Sequence, residues 1–229
     1  MKIALLYNTA AEGENGSAGG LPVPGPESIY SLTDIVWARV QRPEELEIHR
    51  DADLYMDLDF TVDQSRIGIL TRLLPAPVFV SAAVPTLNEI GRPFIRINAW
   101  PGFLERSIHE LVVASDEAAR QVGRLYERLN KSFRLVPDIP GMISGRVIAA
   151  LVNEAYHTLE VSTKEEIDTA MKLGTNYPYG PFEWSERIGL GQIDTLLTEL
   201  SKTADRYTPA AALKRALLES KKGMEKIKM

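Results

Sequence analysis

The chain opens with a compact apolar run, Lys2 to Tyr7, which reads as a buried strand. Similar short runs recur at Asp34–Val40, Pro77–Ala83, Phe94–Asn98 and Ile108–Ala114. Between Asp53 and Phe60, Leu54, Met56, Leu58 and Phe60 alternate with Tyr55, Asp57 and Asp59, the period-two pattern of a strand. Val62–Leu74 places Ile67, Ile69, Leu70, Leu73 and Leu74 on the apolar face of an amphipathic helix. Strands separated by helix-length segments predict an α/β layer arrangement. Phe133–Val136 fits a short edge strand.

From Ser115 onward the period becomes helical. Asp116–Asn130 carries Ala118, Ala119, Val122, Leu125, Tyr126 and Leu129 on one face. Pro140 is placed to open a long helix through Leu159. Ser162-Thr163-Lys164-Glu165 has the capping-box form, predicting a helix over Thr163–Leu173 that stops at Gly174. Gly180-Pro181 starts another helix, and two more are expected at Leu190–Thr203 and Pro209–Ser220. The pattern divides the chain into a sheet domain over 1–137, an all-helical domain over 138–220 and a basic tail over 221–229. Asn8–Glu27, with glycines at 13, 16, 19 and 20, shows no helical period and reads as a loop.

Composition narrows the function classes. With 45% hydrophobic and 25% charged residues the chain is an ordinary globular protein. A net charge of -5 argues against nucleic-acid binding, and only the Lys214–Lys228 stretch is rich in lysine. Cysteine is absent, which excludes disulfides and thiolate chemistry. His49, His109 and His157 lie far apart without ligand spacing, so no metal site is expected. The opening apolar run is too short for a signal or membrane segment, and a cytoplasmic location is the expectation.

Five ordered motifs carry a resemblance. Asp138-Ile-Pro-Gly-Met-Ile-Ser-Gly-Arg146 comes first, followed by Asn153-Glu-Ala155, then Ser162 through Gly174, Tyr177 through Glu183, and Ile188-Gly-Leu190. Together they resemble the C-terminal domain of 3-hydroxyacyl-CoA dehydrogenases, whose pattern runs D-x-P-G-F-I-x-N-R, N-E-A, S-x-E-D-I-D-x-A-M-x-x-G, P-x-G-P-F and G-L-D. Upstream, Ala52-Asp53-Leu54, Pro77–Ser81 and Arg96–Gly102 are similar to the family's A-D-L-V-I-E-A strand, the strand before N-T-S-S, and G-x-H-F-F-N-P. The resemblance implies a reduced Rossmann-like sheet domain followed by the family's all-helical domain, of the 6-phosphogluconate dehydrogenase C-terminal-like type. It also implies a homodimer formed through that helical domain.

The family's chemistry needs NAD and a general base, and this sequence departs from both. A dinucleotide pyrophosphate is held by a Gly-x-Gly-x-x-Gly turn at a helix N-terminus. After the first strand the glycines here come late, at other spacing, beside Glu12 and Glu14. The second strand offers no acid at its end for a ribose hydroxyl. No cofactor-binding residue is therefore assigned, and NAD is expected only if the chain is an active dehydrogenase. Laying Arg96–Pro101 on G-x-H-F-F-N-P puts Asn98 at the position of the catalytic His, and Glu110 at the position of the Glu that holds it. His109, next to Glu110 on a strand, faces the other way. The substrate-binding Ser falls near Val84, with Ser81 too early to replace it, and the Asn of the N-R pair falls at Gly145, while Arg146 is kept.

The leading expectation is thus a divergent 3-hydroxyacyl-CoA dehydrogenase homologue without classical NAD-dependent activity. It would form a dimer and bind an acyl-CoA-like ligand or a protein partner. The alternatives are an active oxidoreductase of fatty-acid metabolism and a ligand-free scaffold or regulatory subunit.

Overall fold

The structure is a computed structural model that describes residues 1–7 and 35–227, with side chains to residue 222. The Asn8–Glu27 segment and its glycines lie outside the described residues, as does the end of the chain beyond Ile227. Tertiary contacts divide the chain into two compact units, Met1–Met142 and Ile143–Met229. The division thus falls after Met142, where the sequence pattern suggested Pro137.

The first unit is built on one seven-stranded sheet. Its strands are β1 (Lys2–Leu6), β2 (Val36–Val40), β3 (Leu54–Asp57), β4 (Val78–Ser81), β5 (Ile95–Ile97), β6 (Ile108–Val112) and β7 (Ser132–Leu135). The order is β2-β1-β3-β4-β5-β6-β7, so β7 is an edge strand as its short run suggested. Strands β1 to β5 run parallel, β6 is antiparallel to β5, and β7 follows β6 in parallel.

Alternation in the strands supplies both faces of the sheet. On β1, Ala4 and Leu6 enter one core with Val78, Val80, Leu46 and Leu70. Ile3 and Leu5 enter the other with Phe79, Ile97, Leu125 and Tyr126. Sheets covered on both faces in this way are characteristic of parallel α/β folds. Among the described residues the helices of this unit are α1 (Gln64–Thr71), α2 (Leu87–Ile90) and α3 (Asp116–Arg128), with a 3-10 turn over Pro43–Ile48. Helix α3 is capped by Ser115, whose hydroxyl accepts from the Ala118 N–H.

The second unit contains α4 (Ser144–Thr158), α5 (Lys164–Thr175), α6 (Pro181–Ile188), α7 (Leu190–Ser201) and α8 (Ala211–Ile227). Its buried side chains include Ile148, Val152, Tyr156, Phe182, Trp184, Leu196, Leu200 and Leu213. Three expectations need correction. Helix α4 does not start at Pro140. Gly141 (φ 76) and Met142 (φ 50) both hold left-handed backbone, so the chain turns there and becomes helical only at Ser144. Helix α5 does not end at Gly174 but runs to Thr175 and closes on Asn176 in the left-handed conformation. Helix α8 continues through Ile227, so the expected separate tail over 221–229 is helical as far as that residue.

Candidate functional site

The ladder between β5 and β6 brings the two sequence-selected residues together. Its register pairs Arg96 with Val112 and Ile97 with Leu111. Carried one residue further, that register sets Asn98 opposite Glu110. Asn98 is buried, 5% exposed, and its Oδ1 accepts from the Trp100 N–H at 3.1 Å. That bond fixes which way the amide points. Its Nδ2 is buried with no partner among the described residues. A lone buried donor of this kind costs about 1–3 kcal/mol. An amide nitrogen is no base, and the one accepting atom is already engaged.

Glu110 is half-buried and lies beside cations. Its register partner on β7 is Arg134, and its charge acts on Arg106. The Arg106 guanidinium stands 4.1 Å over the Phe103 ring. Burial pulls the Arg106 pKa down, and Glu110 opposes that shift.

His109 points to the opposite face, into the core that holds Tyr126. Its Nε2 lies 2.9 Å from the Leu104 carbonyl and its Nδ1 3.0 Å from the Tyr126 hydroxyl. A carbonyl only accepts, so Nε2 carries the hydrogen and Nδ1 accepts from Tyr126. Burial holds the imidazole pKa below its ordinary value, so the ring is neutral. His109 is a satisfied core residue.

A second feature was missed in the sequence. Arg96 stands where the family's G-x-H motif has glycine, and it is fully buried. Its guanidinium donates to Ala82 O at 3.0 Å, to Ala83 O and Ile139 O at 3.4 Å, and to the Asp138 carboxylate. Asp138 also accepts from the N–H groups of Leu87 (3.0 Å) and Asn88 (3.2 Å). The stretch after β4, where the family places its substrate serine, is thus held by its backbone carbonyls. Ser81 and Val84 are half-buried on either side of the two pinned alanines. A charged residue inside the apolar run Phe94–Asn98 was the available signal, but its partner is 42 residues away.

Open α/β sheets bind nucleotides outside the carboxyl ends of the strands, where the strand order reverses. Here that place is between β1 and β3, where Leu6 pairs with Asp57. Asp57 is fully buried, and Arg66 grips its two oxygens at 2.7 and 2.6 Å. Burial pushes the Asp57 pKa up, and the guanidinium opposes it. At the end of β2, the Glu45 carboxylate accepts from the N–H groups of Gln41 and Arg42 and from Arg42 Nε. It is not presented to a ribose. Residues 8–34, which follow β1 at this place, lie outside the described residues. Among the described residues no cluster of three metal-ligating acids or histidines occurs, and no helix is long and apolar enough to cross a membrane.

In the second unit the motif residues hold the fold. Gly145 is buried in the first turn of α4 and offers no side-chain amide. Asn153 is 4% exposed; its Oδ1 accepts from Ala210 N at 2.8 Å and its Nδ2 donates to Thr208 O at 2.9 Å, fixing the start of α8. Asp168 caps α6 by accepting from the N–H groups of Phe182 (2.8 Å) and Glu183 (3.1 Å). Lys172 closes the same corner through Glu183.

Fold and motifs together define a Rossmann-like sheet unit followed by an all-helical unit of dehydrogenase type. Residues 141–228 match the family model described as the 3-hydroxyacyl-CoA dehydrogenase C-terminal domain. The helical unit is thus similar to the C-terminal domain of that family. It is 37% identical over 137 residues to the 3-hydroxyadipyl-CoA dehydrogenase of Escherichia coli K12, covering 58% of this chain and 29% of that protein. It is 35% identical over 105 residues to a probable 3-hydroxybutyryl-CoA dehydrogenase of Deinococcus radiodurans, covering 44% of this chain and 38% of that protein. The matched segments thus span well under half the length of these relatives. Among solved structures, the (S)-3-hydroxybutyryl-CoA dehydrogenase of Ralstonia eutropha shares the fold over 93% of this chain and 92% of its own, with a TM-score of 0.69 at 16% identity. The 3-hydroxybutyryl-CoA dehydrogenase of Escherichia coli K12 aligns with 62% of this chain and 32% of its own, at 29% identity and a TM-score of 0.54.

Proposed function

We propose that this chain is a divergent relative of the 3-hydroxyacyl-CoA dehydrogenases that binds an acyl-CoA-like ligand without oxidising or reducing it. The observation that carries this reading is Asn98: at the position of the family's base stands an amide whose oxygen is bound to the Trp100 N–H. Oxidising a hydroxyacyl group requires a proton acceptor for the hydroxyl and a hydride acceptor at the adjacent carbon. Asn98 cannot take the proton, and His109 is locked in the core on the other face. The glycines after β1, late and at other spacing beside Glu12 and Glu14, argue against a dinucleotide there.

Pairing of two copies through the helical unit belongs to the same reading. Its support is apolar surface on that unit: Ile143 and Val147, one turn apart on and before α4, are each 51% exposed, and Leu173 is 83% exposed. Sedimentation of wild type and Val147→Asp tests it; a dimer converted to monomer supports the pairing, and a wild-type monomer contradicts it.

Glu110 favours a second reading, an active oxidoreductase, because it sits opposite Asn98 where the family holds its base. Thermal shift with NAD, NADH and acetoacetyl-CoA separates the two. Stabilisation by the thioester alone supports a binding protein, and stabilisation by NADH supports the oxidoreductase.

A further inference from the structure

We propose that Arg146, Arg206 and Tyr207 of the helical unit form a receptor for a phosphate group. Arg146 lies in the first turn of the 15-residue helix α4, and that turn carries no acidic residue. Arg206 and Tyr207 lie in the 3-10 turn Asp205–Tyr207 that precedes α8. Tyr207 is 7% exposed, yet its hydroxyl oxygen accepts from two guanidinium groups: Arg146 Nη2 at 3.2 Å and Arg206 Nη2 at 2.8 Å. Both guanidinium carbons also stand close to its ring, at 5.3 Å and 4.8 Å from the centroid.

Two full positive charges therefore converge on one uncharged oxygen. Among the described residues neither arginine forms an ion pair with a carboxylate. Other arginines in the chain show the usual arrangement, as Arg66 does with Asp57 and Arg96 with Asp138. Bringing two guanidiniums together costs Coulomb energy that a phenol dipole offsets only in part. The strain on the phenol is visible: burial pushes its pKa up, but the two guanidiniums outweigh that and hold it below the ordinary value. The arrangement suits an anion.

The chemistry selects the class of anion. Each guanidinium carries five N–H donors, and Tyr207 takes one from each. A carboxylate is satisfied by a single arginine fork. A phosphate group brings roughly twice that charge and three acceptor oxygens, which suits two forks held to a common point. The same chemistry serves a free phosphate or one carried by a larger ligand. This proposal stands apart from the fate of redox chemistry in the sheet unit.

The full chain is titrated with sodium phosphate against sodium chloride at equal ionic strength, following thermal stability. The expected result is a rise in Tm specific to phosphate, and at least a tenfold weaker response in Arg206→Gln. Each response is read as the change from that protein's own Tm in chloride, so any shift in the basal stability of the variant drops out. Spectrophotometric titration of Tyr207, with Tyr207→Phe as the reference, supplies a second readout: bound phosphate raises the phenol pKa. A phosphomonoester that acts at tenfold lower concentration than inorganic phosphate assigns the group to a larger ligand, and equal potency assigns it to the free ion. No phosphate-specific response, or an equal one in Arg206→Gln, overturns the proposal and leaves the cluster as packing.

Discussion

Gly180 lies directly against Asp168: a Cβ on that glycine would overlap the aspartate's Cβ and carboxyl group. The aspartate cannot yield, because its two oxygens hold the first N–H groups of α6. Two motifs that follow one another in the chain thus meet in one contact. Gly180→Val is expected to destabilise the protein by about 2–4 kcal/mol, or to prevent soluble expression. Gly174→Ala is the control. No atom lies within 4 Å of a Cβ there, so helix propensity alone acts and stability rises by about 0.5–1 kcal/mol. Denaturant unfolding of both variants checks the contrast, and a stable Gly180→Val would refute the close approach.

Asn153 holds the start of α8 through both ends of its amide. Asn153→Leu leaves the Ala210 N–H and the Thr208 carbonyl without this partner. A loss of about 2–4 kcal/mol is expected, measured as a shift in the denaturation midpoint. An unchanged midpoint would show that water replaces the amide at no cost.

The buried His109 gives a pH dependence with a definite sign. Its folded pKa is depressed by burial below the ordinary 6.5, so the unfolded chain binds a proton that the folded chain refuses. The stability from this group is present above 6.5 and is lost as the pH falls toward the folded pKa, by at most about 1.4 kcal/mol per pH unit. Unfolding of wild type and His109→Gln between about pH 7.5 and 5, the window in which imidazole titrates, should show the gap between them narrowing on acidification. A constant gap would contradict the buried neutral imidazole.

Much of this architecture was legible in the chain, and the failures are instructive. The alternation of Leu54, Met56 and their polar neighbours marked β3 because one-residue periodicity is local information. The capping signal of α5 was equally local but was read one residue early: Thr163 rather than Ser162 caps the helix, and the box closes on Glu166 rather than Glu165. Pro140 misled because proline favours a helix start, whereas the left-handed backbone at Met142 delays the helix. Asn98 and Glu110 were picked out by the family resemblance, and the β5–β6 register carried one residue further sets them opposite each other. The Arg96–Asp138 pair was invisible because no local pattern joins residues so far apart in sequence. Arg206 and Tyr207 passed unnoticed for the same reason: only the fold brings Arg146 to them.

Restoring one missing group should not restore activity. Asn98→His places an imidazole at the position of the family's base, but Gly145 still supplies no amide and the stretch after β1 still lacks the Gly-x-Gly-x-x-Gly spacing. No oxidation of 3-hydroxybutyryl-CoA by NAD is expected from this variant in a spectrophotometric assay. Turnover by Asn98→His would show that the base was the sole deficit.

The most direct measurement is oxidation of NADH by the purified wild-type chain in the presence of acetoacetyl-CoA. The account predicts no rate above the enzyme-free control, and no difference between wild type and Glu110→Gln. A steady rate that depends on both substrates and falls in Glu110→Gln would contradict it.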